Sequence, residues 1–320
     1  MVKVSVCIPT YNTARYLADA IESVLAQDFS DYELVICDNA STDETPEICR
    51  RYNDSRVRYV RFDELVNQGG NWNRCLELSS GEYVALLHAD DLYLPGFLEE
   101  RVRILDQQPD VGLVFGAVQL INDHGVVTGK EAFGDEVFMA PAPEFYKELL
   151  IKCVILPPSV VVRRGCYEAL GRFDEKRLFA IDWEMWLRLS ARFGVAYSPA
   201  VNSAYRYHDM SGTTLGIAAG RNGPDDFEVL QNALRGIEER PELAHFMPLR
   251  ERALRSFAIR TLSAAGFSCE QGNLSGVKPN LQFAVRALPS LLSRPTVWVL
   301  WLSCYLGPWL YRAFRKIRPV

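Results

Sequence analysis

The first ninety residues alternate short β-branched runs with segments of helical periodicity, and this alternation limits the fold more than any other feature. The runs are Val2–Ile8, Glu33–Asp38, Val57–Phe62 and Glu82–Leu87. Between the first two runs, apolar residues from Thr13 to Gln27 recur at the spacing of one helix face. Strands and helices that alternate at this pace predict βαβ units and a mainly parallel sheet with helices on both faces.

The pattern changes after about residue 110. Further strands are predicted at Val111–Ile121, Ser159–Val162 and Ala204–Tyr207, and a helix at Ile181–Leu189. The Gly-rich stretch 211–224 is expected to be a mobile loop, and from Asp225 onward the pattern is helical throughout. We therefore expect an α/β domain over residues 1–215 and a helical region over residues 216–320.

The composition of the chain argues against several classes of function. A formal net charge of -5 leaves no basic excess to neutralise phosphates, which argues against a general nucleic-acid binder. None of the eight cysteines forms a CxxC pair, so zinc sites and thioredoxin-like chemistry have little support. The chain starts directly in a strand and lacks the apolar core of a signal peptide. We expect reduced thiols and a cytoplasmic location.

The last fifty residues form a distinctive tail. No acidic residue occurs from Gln271 to Val320, where the basic residues are Lys278, Arg286, Arg294, Arg312, Arg315, Lys316 and Arg318. The uncharged, aromatic-rich stretch Pro295–Tyr311 is shorter than the ~20 residues needed to span a bilayer. The pattern favours attachment to the cytoplasmic face of an anionic membrane. The alternatives are packing on the protein's own core or on a second subunit of a homo-oligomer.

Polar side chains follow the predicted strands at the points where they end. Asn12, Asp38 and Asn67 follow the first three strands, and Asp90–Asp91 follow the fourth. Because the carboxyl ends of parallel strands form the binding crevice of an open sheet, these side chains predict one acidic cleft.

The cleft has no standard phosphate-binding loop, since the chain contains neither GxGxxG nor GxxxxGK[ST]. A nucleoside diphosphate would then be neutralised through a divalent cation. The pair Asp90–Asp91 can hold Mn²⁺ or Mg²⁺, which in turn bridges phosphate oxygens. The alternative for such a pair before a helix is a simple N-cap arrangement.

Four segments together resemble the successive signatures of glycosyltransferase family 2. They are VSVCIPTYN, ELVICDNASTDET, NQGGNWNRCLELSSGEYVALLHADD and IDWEMWLRL, and the resemblance covers residues 1–210. It implies a GT-A fold, which is Rossmann-like. It also implies inverting transfer of a sugar from a nucleotide-diphosphate donor to an acceptor hydroxyl.

The resemblance also implies roles for residues. Contacts to the nucleotide sugar fall to Pro9, Tyr11, Asn12, Asp38, Ser41, Asn67, Gly69, Asn73 and Asp90. Asp91 corresponds to the metal ligand of the DXD-like motif, and His208 to a histidine that approaches the metal or the diphosphate. His88 stands where the family often has a further aspartate.

Asp182 corresponds to the catalytic base, with Glu184 as the alternative. The two residues are two positions apart on a predicted helix and point to different faces, so only one of them is expected to enter the cleft. Trp183 and Trp186 are expected either to stack on a sugar or to pack in the core.

Among similar proteins UDP-sugars are the commonest donors, and the tail suggests a lipid-linked glycan or a surface-polysaccharide precursor as acceptor. Two other readings remain at this stage. One is a nucleotidyltransferase that makes sugar nucleotides, although the N-terminal loop lacks the basic, Gly-rich character for binding triphosphates. The other is a non-catalytic protein that binds sugar nucleotides.

Overall fold

The computed structural model describes residues 2–317, within which twelve strands and thirteen α-helices are formed. The strands are β1 (Val4–Thr10), β2 (Tyr32–Asn39), β3 (Val57–Phe62), β4 (Tyr83–Leu86), β5 (Leu92–Tyr93), β6 (Val111–Gly116), β7 (Val118–Ile121), β8 (Val127–Glu131), β9 (Phe138–Ala140), β10 (Val161–Arg163), β11 (Gly194–Ser198) and β12 (Ser203–Arg206).

The helices begin with α1 (Ala14–Leu25), α2 (Thr45–Cys49), α3 (Gln68–Leu78), α4 (Phe97–Gln107), α5 (Tyr146–Ile151), α6 (Arg164–Leu170) and α7 (Ile181–Ser190). They continue with α8 (Gly212–Ala218), α9 (Asn222–Glu239), α10 (Arg250–Glu270), α11 (Leu274–Ala287), α12 (Pro295–Leu306) and α13 (Trp309–Ile317). Short 3-10 helices cover Pro157–Ser159, Pro241–Leu249 and Pro289–Ser293.

The chain divides into two compact units. The first comprises Met1–Tyr146, Val154–Lys176 and Glu184–Tyr207. The second comprises Lys147–Cys153, Arg177–Trp183 and His208–Val320. The boundary expected between residues 215 and 216 falls inside α8, and the division into an α/β domain and a helical region stays a prediction.

The first unit contains both sheets. The larger sheet has eight strands in the order β3-β2-β1-β4-β10-β6-β11-β9, and the smaller has four in the order β5-β12-β7-β8. In the larger sheet β3, β2, β1 and β4 are mutually parallel, whereas β10 is antiparallel to both of its neighbours. The predicted α/β class, with a mainly parallel sheet, is confirmed.

Helices cover both faces of the parallel strands. In β1, successive side chains point to opposite faces of the sheet, and both faces are buried. Val6 and Ile8 belong to the apolar cluster that includes α1 residues such as Leu17 and Ile21. Between them, Cys7 points the other way, and its Sγ donates to the Cys75 carbonyl of α3 at 3.6 Å. Apolar residues on both faces of each strand are what a doubly covered parallel strand requires.

The predicted single strand at Val111–Ile121 is wrong, because it is two strands that belong to different sheets. β6 lies in the large sheet and β7 in the small one, with Ala117 between them. Just before this break, Gly116 passes over the buried guanidinium of Arg101, and a Cβ there would lie 2.0 Å from Nη2. Apolar content alone could not reveal this change of sheet.

The predicted mobile loop at 211–224 is also wrong. Ser211 caps α8 through a 3.1 Å hydrogen bond from the Thr214 N–H to its Oγ, and α9 begins at Asn222. Four glycines in this stretch suggested a loop, but a serine cap and the packing of Gly216 against Phe179 support a helix instead. The prediction of helix throughout the rest of the chain is confirmed for the described residues.

All eight cysteines are free thiols. Within the described part of the chain, no helix combines the length and the apolarity that a bilayer crossing requires. Arg318, the last basic residue of the tail, lies outside the described residues.

Gly81, which precedes β4, tests how closely β1 and β4 approach. A Cβ at this position would lie 2.5 Å from the Ser5 nitrogen and 2.8 Å from the Val4 carbonyl carbon, both in the β1 backbone. We expect Gly81→Ala to lower the free energy of unfolding by about 1–3 kcal/mol, because a strand must shift to relieve the overlap.

Urea denaturation measures this change, and Gly165→Ala is the matched control. Nothing lies within 4 Å of a Cβ at Gly165, which sits in α6, so this variant should be neutral or up to about 1 kcal/mol more stable. Equal stabilities for the two variants would contradict the close approach.

Candidate active site

The carboxyl ends of the parallel strands lie side by side at one edge of the large sheet. The register pairs Thr10 of β1 with Asp38 of β2, and Asp38 with Arg61 of β3. On the other side of β1, Cys7 pairs with Leu86, the last residue of β4. The segment 87–91 therefore leaves the sheet at the same edge as Asn12 and Asp38, as the sequence predicted.

The loops after β1 and β2 are tied together by hydrogen bonds. The Asn12 N–H donates to Ser41 Oγ at 3.0 Å, and Asn12 Oδ1 accepts the Thr42 N–H at 2.8 Å. Asn12 adopts a φ of 52°, in the left-handed region that Asn tolerates better than most residues. The two predicted nucleotide-contacting residues, Asn12 and Ser41, thus hold one another in place.

Pro9 and Tyr11 flank this loop on the β1 side. Pro9 lies opposite Cys37 in the register, and the ring of Tyr11 is exposed. Of the residues predicted from the first motif, Tyr11 is the one with an apolar ring available to a ligand.

Asp38 is fully buried and already has partners. Its Oδ1 accepts the Ser41 N–H at 2.9 Å, and its Oδ2 accepts the Tyr59 hydroxyl at 2.6 Å. The half-exposed guanidinium of Arg61 lies 3.6 Å from Oδ2. In this arrangement Asp38 fixes the start of the β2 loop, and its contact with a nucleotide base stays a prediction.

Asn67, Gly69 and Asn73 connect α3 to a strap at residues 173–175. Asn67 caps α3 by accepting the Gly70 N–H at 2.8 Å, and its amide donates to the Glu175 carbonyl at 2.6 Å. A Cβ at Gly69 would contact the same strap, 3.4 Å from the Glu175 Cα.

Asn73 is buried and its side-chain amide is fully engaged. It donates to the Phe173 carbonyl at 3.1 Å and to the Glu175 carboxylate at 2.8 Å, and accepts the Phe173 N–H at 2.9 Å. Asn73 therefore positions the strap in this structure, whereas the sequence assigned it to donor binding.

The segment after β4 carries a cluster with metal-binding chemistry. One ligand atom from each of His88, Asp90 and Asp91 can be chosen so that all three lie within 4.8 Å of one another. His88 Nδ1 is 3.7 Å from Asp91 Oδ2, and the His88 ring stacks on Trp72 with centroids 5.1 Å apart. His88 thus belongs to the cluster, although the sequence analysis gave it no role.

Asp91 is buried, with one oxygen bonded and the other without a partner among the described residues. Oδ1 accepts the Arg206 N–H at 2.9 Å, whereas no hydrogen bond reaches Oδ2. Burial and the negative charge of Asp90 raise the pKa of Asp91 well above its usual value. A buried carboxylate oxygen without a donor, beside a second carboxylate, fits a divalent cation.

Burial also lowers the pKa of His88, so the imidazole is neutral at ordinary pH. A neutral imidazole can donate a lone pair to a metal, which a protonated one cannot do.

Arg206, at the end of β12, supports the cluster from behind. Its Nε donates to the Asp90 carbonyl at 2.8 Å, and Nη1 lies 3.4 Å from the carbonyls of Asn122 and Asp123. The guanidinium is buried against the ring of Tyr16, 4.8 Å from its centroid. The sequence analysis assigned a role to His208, two positions further on, but none to Arg206.

Glu184, the alternative base, is held in an ion pair within the first unit. Both of its carboxylate oxygens accept from Arg188, at 2.7 and 2.8 Å, and Arg188 also donates to the carbonyls of Leu170 and Arg172. Trp186 on the same helix is buried. These contacts give Glu184 a structural partner.

Asp182 belongs to the second unit, in the first turn of α7. Its Oδ1 accepts the Trp183 N–H at 2.7 Å, and burial raises the pKa of Asp182 to about 6. The Trp183 ring is buried, donates to the Leu149 carbonyl at 2.8 Å and faces Arg260 at 5.7 Å. Trp183 is therefore a core residue in this structure.

The turn before Asp182 is held by a carboxylate that the sequence analysis did not identify. Asp225 Oδ2 accepts three consecutive backbone N–H groups, from Leu178, Phe179 and Ala180, at 3.1, 2.8 and 2.9 Å. Its Oδ1 accepts from Arg177 Nη1 at 3.0 Å. We call residues 177–180 with Asp225 the clamped turn.

His208 is also part of the second unit, and its carbonyl accepts the Ser211 N–H at 3.1 Å, next to the cap of α8. Its role at a metal or diphosphate stays a prediction.

The sequence of this chain is similar to those of known glycosyltransferases. The sequence profile of Glycosyl transferase family 2 matches residues 5–159. An Escherichia coli protein, UDP-Glc:alpha-D-GlcNAc-diphosphoundecaprenol beta-1,3-glucosyltransferase WfgD, is 28% identical over 58% of this chain and 69% of its own length. Alignments with two further glycosyltransferase relatives span 64% and 70% of those proteins.

Two solved structures share the fold. TarS 1-349 of S. aureus, crystallised with UDP-GlcNAc, superposes with a TM-score of 0.66 at 18% identity over 98% of this chain and 92% of that one. The mannosyltransferase PcManGT of Pyrobaculum calidifontis, with GDP-Man and Mn²⁺, gives 0.58 at 19% identity over 99% and 87%. Together, the family match, the relatives and the solved structures support a family 2 glycosyltransferase with the GT-A fold.

Proposed function

We propose that this protein is a metal-dependent, inverting glycosyltransferase that moves a sugar from a UDP-sugar to an acceptor hydroxyl. The observation that carries the proposal is the buried Oδ2 of Asp91, which accepts no hydrogen bond from the described residues and lies beside Asp90 and His88. The acidic cluster would repel a negatively charged diphosphate. A divalent cation bound between the cluster and the diphosphate would remove this repulsion.

Asp91 is the principal candidate ligand, with Asp90 and His88 completing the group. Mn²⁺ or Mg²⁺ bound there would neutralise charge on a diphosphate leaving group. The chain's own contribution is to hold Asp91 rigid through the Arg206 N–H, so that its second oxygen needs no reorganisation.

For the donor, the loops of Asn12, Ser41 and Asp38 form the nucleotide side, with Tyr11 exposed beside them. UDP is favoured because WfgD is named as using UDP-Glc and TarS was crystallised with UDP-GlcNAc. PcManGT was solved in complex with GDP-Man, so experiment has to decide whether the nucleobase of the donor is uracil or guanine.

Asp182 is the proposed base. Its carboxylate would take the proton of the acceptor hydroxyl as that oxygen attacks the anomeric carbon, while the bond from this carbon to the diphosphate breaks. One such displacement inverts the anomeric centre. A pKa of about 6 suits the role, because the group is ionised near neutral pH yet more basic than an ordinary aspartate.

For the acceptor, a lipid-linked glycan precursor is favoured, because WfgD is named as acting on a diphosphoundecaprenol-linked sugar. Incubation with a panel of sugar nucleotides and Mn²⁺ or Mg²⁺ tests the reaction class. A transferase releases a nucleoside diphosphate, a nucleotidyltransferase forms pyrophosphate, and a non-catalytic binder turns over nothing.

Asp91→Asn tests the cation site. We expect transfer to fall at least about 100-fold and the stabilisation by Mn²⁺ in thermal unfolding to disappear. The metal-free unfolding temperature should not fall, because the amide oxygen still accepts the Arg206 N–H and a buried charge beside Asp90 is removed. The exposed Asp28→Asn serves as control; Mn²⁺ stabilisation unchanged in Asp91→Asn would place the cation elsewhere.

Asp182→Asn compared with Glu184→Gln tests the base. We expect the first to slow transfer about 10²–10⁴-fold with donor affinity retained. The second should stay within a few-fold in rate and lose less than about 1 kcal/mol of stability, since its ion pair with Arg188 is partly exposed. Near-normal turnover by Asp182→Asn would exclude this residue as the base.

The pH profile of kcat/KM gives an independent measurement. Because burial raises the pKa of Asp182 to about 6, the base becomes protonated as pH falls through that value. The rate should therefore be level above about pH 7 and fall tenfold per pH unit below pH 6. If kcat/KM instead fell only near pH 4, the pKa of an exposed aspartate, the result would argue against Asp182 as the base.

Asp225→Asn tests the clamped turn, with Glu228→Gln as control. Both carboxylates bond Arg177, but only Asp225 receives the three backbone N–H groups. We expect Asp225→Asn to lower kcat about 10–100-fold, because a small displacement of a reacting group is costly, with donor KM little changed. Glu228→Gln should change kcat less than about threefold; equal effects would point to Arg177 alone.

A further inference from the structure

Helix α12 is apolar on two opposite faces. Val297, Leu300 and Ser303 face inward and are buried. The opposite side carries Trp298, Trp301, Leu302 and Tyr305, whose positions recur at helical spacing and which are 41–65% exposed. One face therefore satisfies the packing of the second unit, and the other leaves large side chains in water.

The exposed apolar surface continues past α12. Leu306 is 57% exposed and Trp309, after the turn at Gly307, is 59% exposed. We call these two residues, together with Trp298, Trp301, Leu302 and Tyr305, the aromatic face. Its rings form a ladder, with centroids 6.4 Å apart for Trp298–Trp301 and 5.0 Å apart for Trp301–Tyr305. A contiguous patch of this kind on a protein surface marks an interaction site.

The charge around the aromatic face has one sign. No acidic residue occurs after Glu270, while Arg294 precedes α12 and Arg312, Arg315 and Lys316 lie exposed on α13. Arg315 pairs with Glu270, but Arg294 and Lys316 have no carboxylate partner among residues 2–317. The surface thus combines exposed Trp and Tyr with unopposed positive charge.

We propose that the aromatic face inserts into the headgroup region of an anionic lipid bilayer, with α12 lying in the membrane plane. Trp and Tyr are the side chains enriched at that depth, because their rings are apolar and their N–H and O–H groups stay hydrated. At 1.5 Å per residue the twelve residues of α12 reach only about 18 Å, well short of the ~30 Å hydrocarbon core. The basic residues of α13 would meet the lipid phosphates.

A second copy of the chain fits the aromatic face less well than a bilayer does. A two-fold interface brings the same patch from both copies together, and here it would bring together like charges with no acidic residue of the tail to offset them. An anionic bilayer provides the opposite charge. This inference concerns surface attachment alone and does not depend on the proposed reaction.

The distribution of tryptophan makes the proposal directly measurable. Trp298, Trp301 and Trp309 lie on the aromatic face, and the other three tryptophans, Trp72, Trp183 and Trp186, are 3–4% exposed. Lipids brominated on the acyl chain quench only tryptophans that reach the bilayer. With the full chain and vesicles of phosphatidylcholine and phosphatidylglycerol, we expect partial quenching, with an emission shift to shorter wavelength.

Vesicle flotation then separates the contributions. The triple variant Trp298→Ser, Trp301→Ser, Tyr305→Ser should lose at least tenfold in vesicle affinity, and Lys316→Gln about fivefold. The matched control is Val126→Ser with Val127→Ser, two exposed apolar residues of the first unit, which should bind as the parent does. Far-UV circular dichroism of each variant checks that its fold is retained.

Three outcomes would overturn the proposal. The first is equal flotation with purely zwitterionic and anionic vesicles, and the second is unchanged binding by the triple variant. The third is a dimer in light scattering that the triple variant dissociates, without any vesicle binding by the parent chain, which would assign the aromatic face to self-association.

Discussion

The loop after β4 is joined to β12 at the candidate active site by one buried carboxylate. Asp91 receives one hydrogen bond from the β12 backbone and keeps its second oxygen without a partner among the described residues. The adjacent Arg206 does not form a salt bridge with it, because the guanidinium bonds backbone carbonyls and lies near Asp19 instead. The loop is therefore braced by a guanidinium that bonds the backbone, and Asp91 Oδ2 stays available to the proposed metal.

Much of the first unit was predictable from sequence because its pattern is local. The β-branched runs gave β1 to β4 within about two residues at each end, and β3 at its observed bounds. The polar residues that end those strands had to meet at one edge, since parallel strands share a direction. His88 could have been included, as it stands in the motif at a position where the family often has an aspartate.

The parts that could not be predicted depend on long-range contacts. The break between β6 and β7 lies beside the buried Arg101 of α4, a contact that the local pattern of residues 111–121 does not contain. The helical state of residues 212–218 depends on a cap and on Phe179, and the loop prediction weighed only glycine content. Asp225 lies 45–48 positions from the turn that it holds, and an aspartate at the start of a helix is otherwise an ordinary feature.

The clamped turn has a consequence for which sequences can build it. Asp225 recognises main-chain N–H groups at three successive positions, so proline, which has none, is incompatible with positions 178, 179 and 180. The side chain of Leu178, by contrast, is largely exposed and contributes nothing to the contact. In related chains that keep this turn, we expect position 178 to vary freely in size and polarity, while the acidic residue at position 225 and the absence of proline persist together.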